Sequence, residues 1–583
     1  MSRVLSRRLI RVFAVLVSGL VMAQSKGAPL VSQRNGLSLV QASHLEVSTN
    51  ISQTAQAAPF ALRGARVFKG VGTRLAPGLD FAPAVFYGTD GFSDSEILPT
   101  ALVSVTDVNR DGKVDLVVAN TDSNTVGILL GNGDGTFQAA VTYGSGAYYA
   151  SSVAVGDVNG DGKPDIVVTN ELNSKYQGVV SVLLGNGDGT FQAAVPYYSG
   201  GYCADSVAIA DVNGDGKPDL VVANSSENGN QGCTSGIAVG AVGVLLGNGD
   251  GTFQEAVTYS AVLQGSNSVA VVDVNGDGKP DVVVADLCGG GCGAVSVLLG
   301  NGDGTFQAAV SYNSGGYEAY SMAVDDVNGD GKPDLLVANL CGSDGCGSSN
   351  GGNVGVLLGK GDGTFQKVVT YGSGGFFATS VAAVDVNDDG KPDIVVANSC
   401  DQVYPNCSNG LVGVLLGNGD GTFQTAAIYD SGYYALSVAV RDVNGDDKPD
   451  LVVVDQCASQ ITCSNGQAAG VLINTSIKPT ATVVTSSLNP SNFGQAVTFT
   501  AKVTSKGYKG TPTGTVTFYD GTTNLGTANL NGKAKGTLTT SALAVGTHSI
   551  TATYNGDSIS LLALRPCCTK SSRELSSRFL RPA

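Results

Sequence analysis

Tryptophan is absent from the chain, and histidine occurs only at His44 and His548. The long middle of the sequence therefore offers no base for a Ser-His-Asp or Cys-His arrangement. Charged residues make up only 14% of the chain, and 33 Lys and Arg are outnumbered by 49 Asp and Glu, for a formal charge of −16. That balance argues against a nucleic-acid partner. After the first two dozen residues no apolar run is long enough to cross a bilayer as a helix, so no membrane span is expected. Glycine, by contrast, is abundant at 81 of 583 residues, which points to short strands joined by tight turns. The length allows two or more domains.

Residues 1–23 read as a secretory signal peptide. Arg3, Arg7, Arg8 and Arg11 precede the short apolar run Val12 to Met22, and Val21 and Ala23 supply small residues before Gln24. A transmembrane anchor would need a longer run, and Ser6-Arg7-Arg8 leaves a twin-arginine signal as a variant of the same export reading. Export makes the protein secreted, cell-surface or periplasmic. Residues 24–77, rich in Ser, Gln and Ala, read as a linker or disordered arm.

The stretch Asp157 to Asp165, D-V-N-G-D-G-K-P-D, places oxygen-bearing side chains at its first, third, fifth and ninth positions. Asp157, Asn159, Asp161 and Asp165 can converge as ligands for a hard cation, and Gly162 permits the sharp turn. Copies begin at Asp107, Asp157, Asp211, Asp273, Asp326, Asp385 and Asp442, so the chain is a repeat protein. Three aspartates per loop account for 21 of the 49 acidic residues, and seven divalent ions would add +14. The acidity is then metal-site chemistry.

Within one repeat, S-V-A-V-G-D-V before the loop alternates as a strand, Ile166 to Thr169 continue after Pro164, Val179 to Leu184 form a third strand, and Phe191 to Tyr198 a fourth. Four antiparallel strands in about fifty residues are the mark of a propeller blade. Seven acidic loops meet only six G-N-G-D-G-T-F turns, beginning at Gly131, Gly185, Gly247, Gly300, Gly359 (where Lys360 replaces Asn) and Gly417. The seventh blade stops at A-G-V-L-I-N-T, whereas Phe81 to Tyr87, F-A-P-A-V-F-Y, resembles the fourth strand F-Q-A-A-V-T-Y. Residues 78–88 are expected to supply that missing strand and close the ring. The fold expected is all-β: a seven-bladed β-propeller over residues 78–475, followed by an Ig-like β-sandwich over 476–557.

These loops, and the L-L-G-N-G-D-G-T-F segments, resemble the FG-GAP (VCBS-type) repeats of integrin α-subunit head propellers and of many secreted bacterial proteins. The resemblance implies a calcium ion in the loop between the first two strands of each blade, about seven in all. Matched residue by residue, the ligands are Asp107, Asn109, Asp111 and Asp115; Asp157, Asn159, Asp161 and Asp165; Asp211, Asn213, Asp215 and Asp219; Asp273, Asn275, Asp277 and Asp281; Asp326, Asn328, Asp330 and Asp334; Asp385, Asn387, Asp389 and Asp393; and Asp442, Asn444, Asp446 and Asp450. Asp388 adds a charge to the sixth loop, and Asp447 replaces glycine in the seventh, the site expected to be weakest. An EF-hand or dockerin is excluded: position twelve is Val118, Val168 or Val222, and the following run is β-branched rather than helical.

Close cysteine pairs fit an exported protein: Cys288 with Cys292, Cys341 with Cys346, Cys400 with Cys407, and Cys457 with Cys463. Each falls between two strands of one repeat, where a local disulfide is the economical reading. Zinc is the alternative, disfavoured by the spacing and by the scarcity of histidine. Cys203 and Cys233 fall on one face of the same blade and form a further candidate pair.

From Lys478 the sequence turns to Thr-rich alternation, as in F-G-Q-A-V-T-F-T-A-K-V, and resembles bacterial Ig-like domains up to Asp557. Residues 558–583 form an atypical basic tail with Cys567 and Cys568.

On the face away from the acidic loops, the segments joining blades carry Tyr148, Tyr149, Tyr202, Tyr317, Tyr320, Phe376, Phe377, Tyr433 and Tyr434. They either pack between blades or present rings to a ligand. With no catalytic constellation visible, the function expected is non-enzymatic: an exported calcium-binding propeller that adheres to an extracellular protein or polysaccharide. The alternative is a carbohydrate-active enzyme or toxin-associated component whose catalytic groups are not recognisable.

Overall fold

The structure, a computed structural model, describes residues 79–90, 103–173, 175, 177–227, 239–287, 293–343, 345, 351–402, 407, 409–457, 467–476, 480–505 and 511–555. The expectations for residues 1–23, 24–77 and 558–583, and for Cys233, Cys288, Cys292, Cys346 and Cys463, lie outside these residues. Among the described residues every regular element is a β-strand, and no helix is long and apolar enough to cross a membrane.

The first strand, β1 (Val85–Gly88), precedes a four-stranded antiparallel unit made of β2 (Val103–Thr106), β3 (Asp115–Asn120), β4 (Thr125–Leu129) and β5 (Val141–Gly144). The next unit repeats it as β6 (Tyr148–Gly156), β7 (Asp165–Leu172), β8 (Val179–Leu183) and β9 (Val195–Tyr198). All six residues of β3 are buried. Its sheet is covered on both faces by neighbouring units, so D-L-V-V-A-N reads as an apolar run rather than an alternation. The outer strand β5 has one covered face and leaves Val141 exposed.

Three more four-stranded sheets lie between Tyr202 and Gln264, Ser266 and Asn313, and Tyr317 and Gly372. The last sheet has seven strands because the 15-residue strand Ala427–Arg441 passes from one unit into the next. β1 completes its edge, pairing antiparallel with Ala468–Leu472 and setting Val85 opposite Val471. Among the described residues these units follow one another, arranged as propeller blades. β2 of the first packs against Ala427–Arg441 and Asp450–Cys457 of the last, and one apolar cluster joins Leu116 and Val118 to Val452, Val454 and Ala469.

A repeated aromatic contact fixes each junction. Tyr87 meets Phe137 edge-on, Tyr143 meets Phe191, Tyr197 meets Phe253, Tyr259 meets Phe306, Tyr312 meets Phe365, Tyr371 meets Phe423, and Tyr429 meets Phe81, with ring centroids 5.0–5.7 Å apart. Each pair contributes roughly 0.5–1.5 kcal/mol beyond the area it buries. These contacts correct one expected boundary. From the sequence the fourth strand starts at Phe191; in the structure it starts at Val195, and Phe191 is held by a single bridge to Gly185. The ring has left the strand to fill the junction.

The C-terminal unit is a sandwich of two three-stranded sheets. One contains Thr480–Ser486, Val497–Ser505 and Lys535–Thr540; the other contains Thr523–Asn529, Thr515–Asp520 and Ile550–Tyr554. Alternate residues Val497, Phe499, Ala501 and Val503 face Val516, Phe518 and Ile550 in its core.

Candidate metal centres

In the second unit β6 runs into the acidic loop and β7 leaves it. Asp157 is the hub: Oδ1 accepts the N–H groups of Gly160 (2.7 Å) and Asp161 (3.1 Å), and Oδ2 accepts that of Gly162 (2.7 Å). Asn159 Oδ1 accepts the Asp161 N–H at 2.9 Å, and Asp161 Oδ1 accepts that of Lys163 at 2.9 Å. Asp165 is buried and does a separate job. Its Oδ2 takes the Val158 N–H (2.9 Å) and its Oδ1 the Gly185 N–H (2.8 Å), tying the loop to the turn beyond β8.

The paired contacts of the ninth residue recur at Asp115, Asp219, Asp281, Asp334, Asp393 and Asp450. Each of these bonds fixes the ninth aspartate against the second residue of its own loop and against the turn, or Asn474, that follows the third strand. Among the described residues no three acidic side chains already surround a single point as metal ligands would.

The donor chemistry nevertheless fits a hard cation. Each loop offers three carboxylates and an amide oxygen with no soft donor, and the carboxylates oppose one another. Burial, reinforced by the neighbouring acids of the same loop, pushes Asp393 up to about 7 and Asp334 and Asp450 up to about 6, against the pull of the N–H groups they accept. The loop lysine supplies partial relief, as where Lys163 Nζ lies 2.9 Å from Asp161 Oδ2. That pair is exposed and contributes little.

Two backbone positions in each loop are left-handed, whereas the sequence pointed only to the sixth. The fourth is Gly160 (φ 75°) in the second loop, Arg110 (φ 63°) in the first and Asp388 (φ 60°) in the sixth; Asp447 (φ 60°) holds the sixth position of the seventh loop. The first and sixth loops are therefore strained as well as the seventh, and arginine tolerates this region less readily than aspartate. Arg110→Gly is expected to stabilise the protein by roughly 1 kcal/mol, and Asp447→Gly by less. Melting curves of the two variants check the order.

The loops lie at unit junctions. A Cβ on Gly189 of the second unit would meet the Asn109 side chain of the first at 3.3 Å, and Gly304 N–H donates to the Val212 carbonyl at 3.2 Å. The seventh unit lacks this turn, and Asn474 replaces it. Its N–H donates to Asp450 Oδ1 (2.7 Å), and its Nδ2 donates to the carbonyls of Val386 (2.9 Å) and Pro449 (3.0 Å). Sequence reasoning passed over Asn474; the signal was I-N-T standing where other units have L-G-N-G.

The aromatic candidates stand at the opposite ends of the innermost strands. Tyr148, Tyr202, Tyr317 and Phe376 begin strands that run toward the acidic loops, and Tyr433 holds the same register within Ala427–Arg441. Tyr148 is the most open, at 52% exposure. Tyr149, Phe377 and Tyr434 are left-handed (φ 59°, 58° and 57°) beside a register shift in each strand. Tyr320 takes the first of the two expected roles: it is 5% exposed and packs with Leu287, Leu340 and Cys341, so its ring is core. Cys400 and Cys407 form a disulfide, Cys203 and Cys341 are each disulfide-bonded, and Cys457 ends the strand Asp450–Cys457. His548 lies in the sandwich with Nδ1 on Asp520 and Nε2 on the Ala544 carbonyl.

Blade-like four-stranded units with an oxygen-rich loop in each define a class, the repeat β-propellers. The chain belongs to the FG-GAP-like repeat family, which it matches over residues 107–168, 169–222, 232–284, 285–337, 340–396 and 400–453, more than half its length. An FG-GAP repeat is matched again at 319–357, and a bacterial Ig-like domain (group 3) at 484–561. Among curated relatives, integrin alpha pat-2 of Caenorhabditis elegans is 30% identical over 189 residues, which is 28% of this chain and 14% of that protein. Human integrin alpha-IIb is 29% identical over 231 residues, 36% of this chain and 21% of that protein. The match thus spans about a fifth or less of these relatives.

Proposed function

We propose that the chain is an exported, seven-bladed, calcium-binding propeller that acts outside the cell as a non-enzymatic adhesion or ligand-binding protein, with a protein or polysaccharide partner. The observation that carries this is the sevenfold recurrence of one oxygen-rich loop on one face, with aromatic side chains at the opposite strand ends. The likeness to integrin alpha chains supports the same class.

Bound calcium would be held by the first, third, fifth and ninth residues of each loop. It would neutralise carboxylates that otherwise repel one another at the junctions between units. That stiffens the disc and leaves the other face for recognition, where Tyr148, Tyr202, Tyr317, Phe376 and Tyr433 stand at one register level. The disulfides hold loops on that same side.

The test is a calcium-dependent binding screen of the mature chain against extracellular proteins and polysaccharides, with a Tyr148→Ala, Tyr433→Ala double variant alongside. Retained binding partners that the variant loses by tenfold or more, about 1.4 kcal/mol, support the aromatic face. Release of reducing sugar from any bound polysaccharide would overturn the non-enzymatic reading.

A further inference from the structure

Beyond the metal loops, a second polar ring runs through the junctions between units. The residue five places after each ninth aspartate is Asn120, Asn170, Asn224, Asp286, Asn339, Asn398 or Asp455, and all seven are buried. In the asparagine cases the side chain reaches the residue that follows the outer strand of the preceding unit. Asn224 Oδ1 accepts the Ser199 hydroxyl while Nδ2 donates to the Ser199 carbonyl at 3.2 Å. Asn339 does the same with Ser314, and Asn398 with Ser373. Asn170 and Asn120 donate Nδ2 to the carbonyls of Ser145 and Thr89, both at 3.0 Å.

Two units carry an acid here instead. Asp286 is met by two hydroxyls, those of Ser266 and Ser296, one on each oxygen. Asp455 has only one. Its Oδ1 accepts the Ser431 hydroxyl at 3.2 Å, as the asparagine oxygen does elsewhere, and its Oδ2 is buried with no hydrogen-bond partner. That oxygen stands where the other junctions have the amide nitrogen. Added Cβ atoms show how tightly it is enclosed: one on Gly432 would lie 2.8 Å from Oδ2 and 2.9 Å from the Phe86 ring of β1, and one on Gly470 would lie 3.3 Å from Oδ2. The ionisable neighbour acting on it is Asp430, a second acid, on the strand that carries Ser431.

We propose that Asp455 is carried as the neutral acid in the folded protein, its Oδ2–H replacing the missing amide donor, so that ionising it loosens the unit that β1 completes. A fully buried carboxylate with one hydroxyl partner and an acidic neighbour is far costlier than the protonated group, which can donate as asparagine does. Burial, with Asp430 adding to it and the Ser431 hydroxyl opposing, raises the Asp455 carboxyl well above the usual range. The unfolded group titrates near 4, so the folded state binds the proton more tightly. Its contribution is complete below about pH 4 and is lost progressively as pH rises above that toward the raised folded-state value. This is a pH-sensitive clasp on ring closure, independent of the ligand face and of the metal.

The experiment compares the full chain with Asp455→Asn in saturating calcium from pH 4.5 to 8.5, so that contributions common to both proteins cancel. The variant is expected to melt higher, by about 2 °C or more at the alkaline end, with the gap closing toward pH 4.5. A gap that does not change with pH, or a variant that melts lower at pH 8.5, overturns the proposal. Hydrogen exchange on the unaltered chain gives a second reading, corrected for the intrinsic pH dependence of exchange. Protection of Val85–Gly88 is expected to fall with rising pH relative to the matching outer strand Val141–Gly144; equal behaviour of the two strands contradicts the clasp.

Discussion

Withdrawing calcium with a chelator is expected to lower the melting temperature by on the order of 10 °C or more, because each occupied site adds about 2.7 kcal/mol when the free ion stands at a hundred times its dissociation constant. The reason lies in the loops. Three carboxylates are gathered in each, and the ninth is buried against the repulsion of the other two, as at Asp393 with Asp385 and Asp389. Without a cation that repulsion persists at every junction, and the lysine ion pairs of the first five loops are exposed and too weak to offset it. The turn of one unit rests on the loop of its neighbour, so loosening one loop reaches two units. Differential scanning calorimetry with and without chelator reads the effect directly. An unchanged melt would mean that the loops hold no stabilising ion.

Asp165→Ala is expected to destabilise by about 2–5 kcal/mol whether or not calcium is present, because it strips partners from two buried N–H groups, those of Val158 and Gly185. Asp161→Ala should behave differently. Its carboxylate is at the exposed end of the loop, where Oδ1 accepts the Lys163 N–H, Oδ2 pairs with the Lys163 ammonium and the Asn159 side chain adds a further hydrogen bond. Its substitution should lower the melt in calcium, through loss of one site, and lower it far less in chelator, where it removes one of the carboxylates that repel Asp165. Denaturation of both variants with and without calcium separates the roles. Two variants with the same calcium dependence would show that the first-to-fifth and ninth residues act as one set, and the distinction drawn from the hydrogen bonds would be wrong.

The fold was largely legible because one signal was repeated seven times. D-V-N-G-D-G-K-P-D followed by a β-branched run ruled out a helix after the loop, and the kinship of F-A-P-A-V-F-Y with F-Q-A-A-V-T-Y is visible in structural terms. Phe81 and Tyr87 make the same edge-on contacts as Phe137 and Tyr143. Features that depend on a neighbouring unit were not legible. Phe191 reads as a strand residue until the preceding unit supplies Tyr143. Whether Tyr320 packs or faces a ligand is open in the sequence until Leu287 and Leu340 are seen to cover it. The left-handed backbone at Arg110 was masked because a charged side chain in an acidic loop looks unremarkable, whereas the cost lies in φ. Asp455 is the plainest case. One acid among so many attracts no notice until its five asparagine counterparts are seen donating to carbonyls at the same place.

Equilibrium dialysis of the purified chain against labelled calcium tests the central claim most directly. The loops predict about seven ions per chain, with one fewer in Asp157→Ala, whose hub aspartate organises the second loop. No bound calcium above background, in a chain whose loops and β-structure are intact, would contradict it.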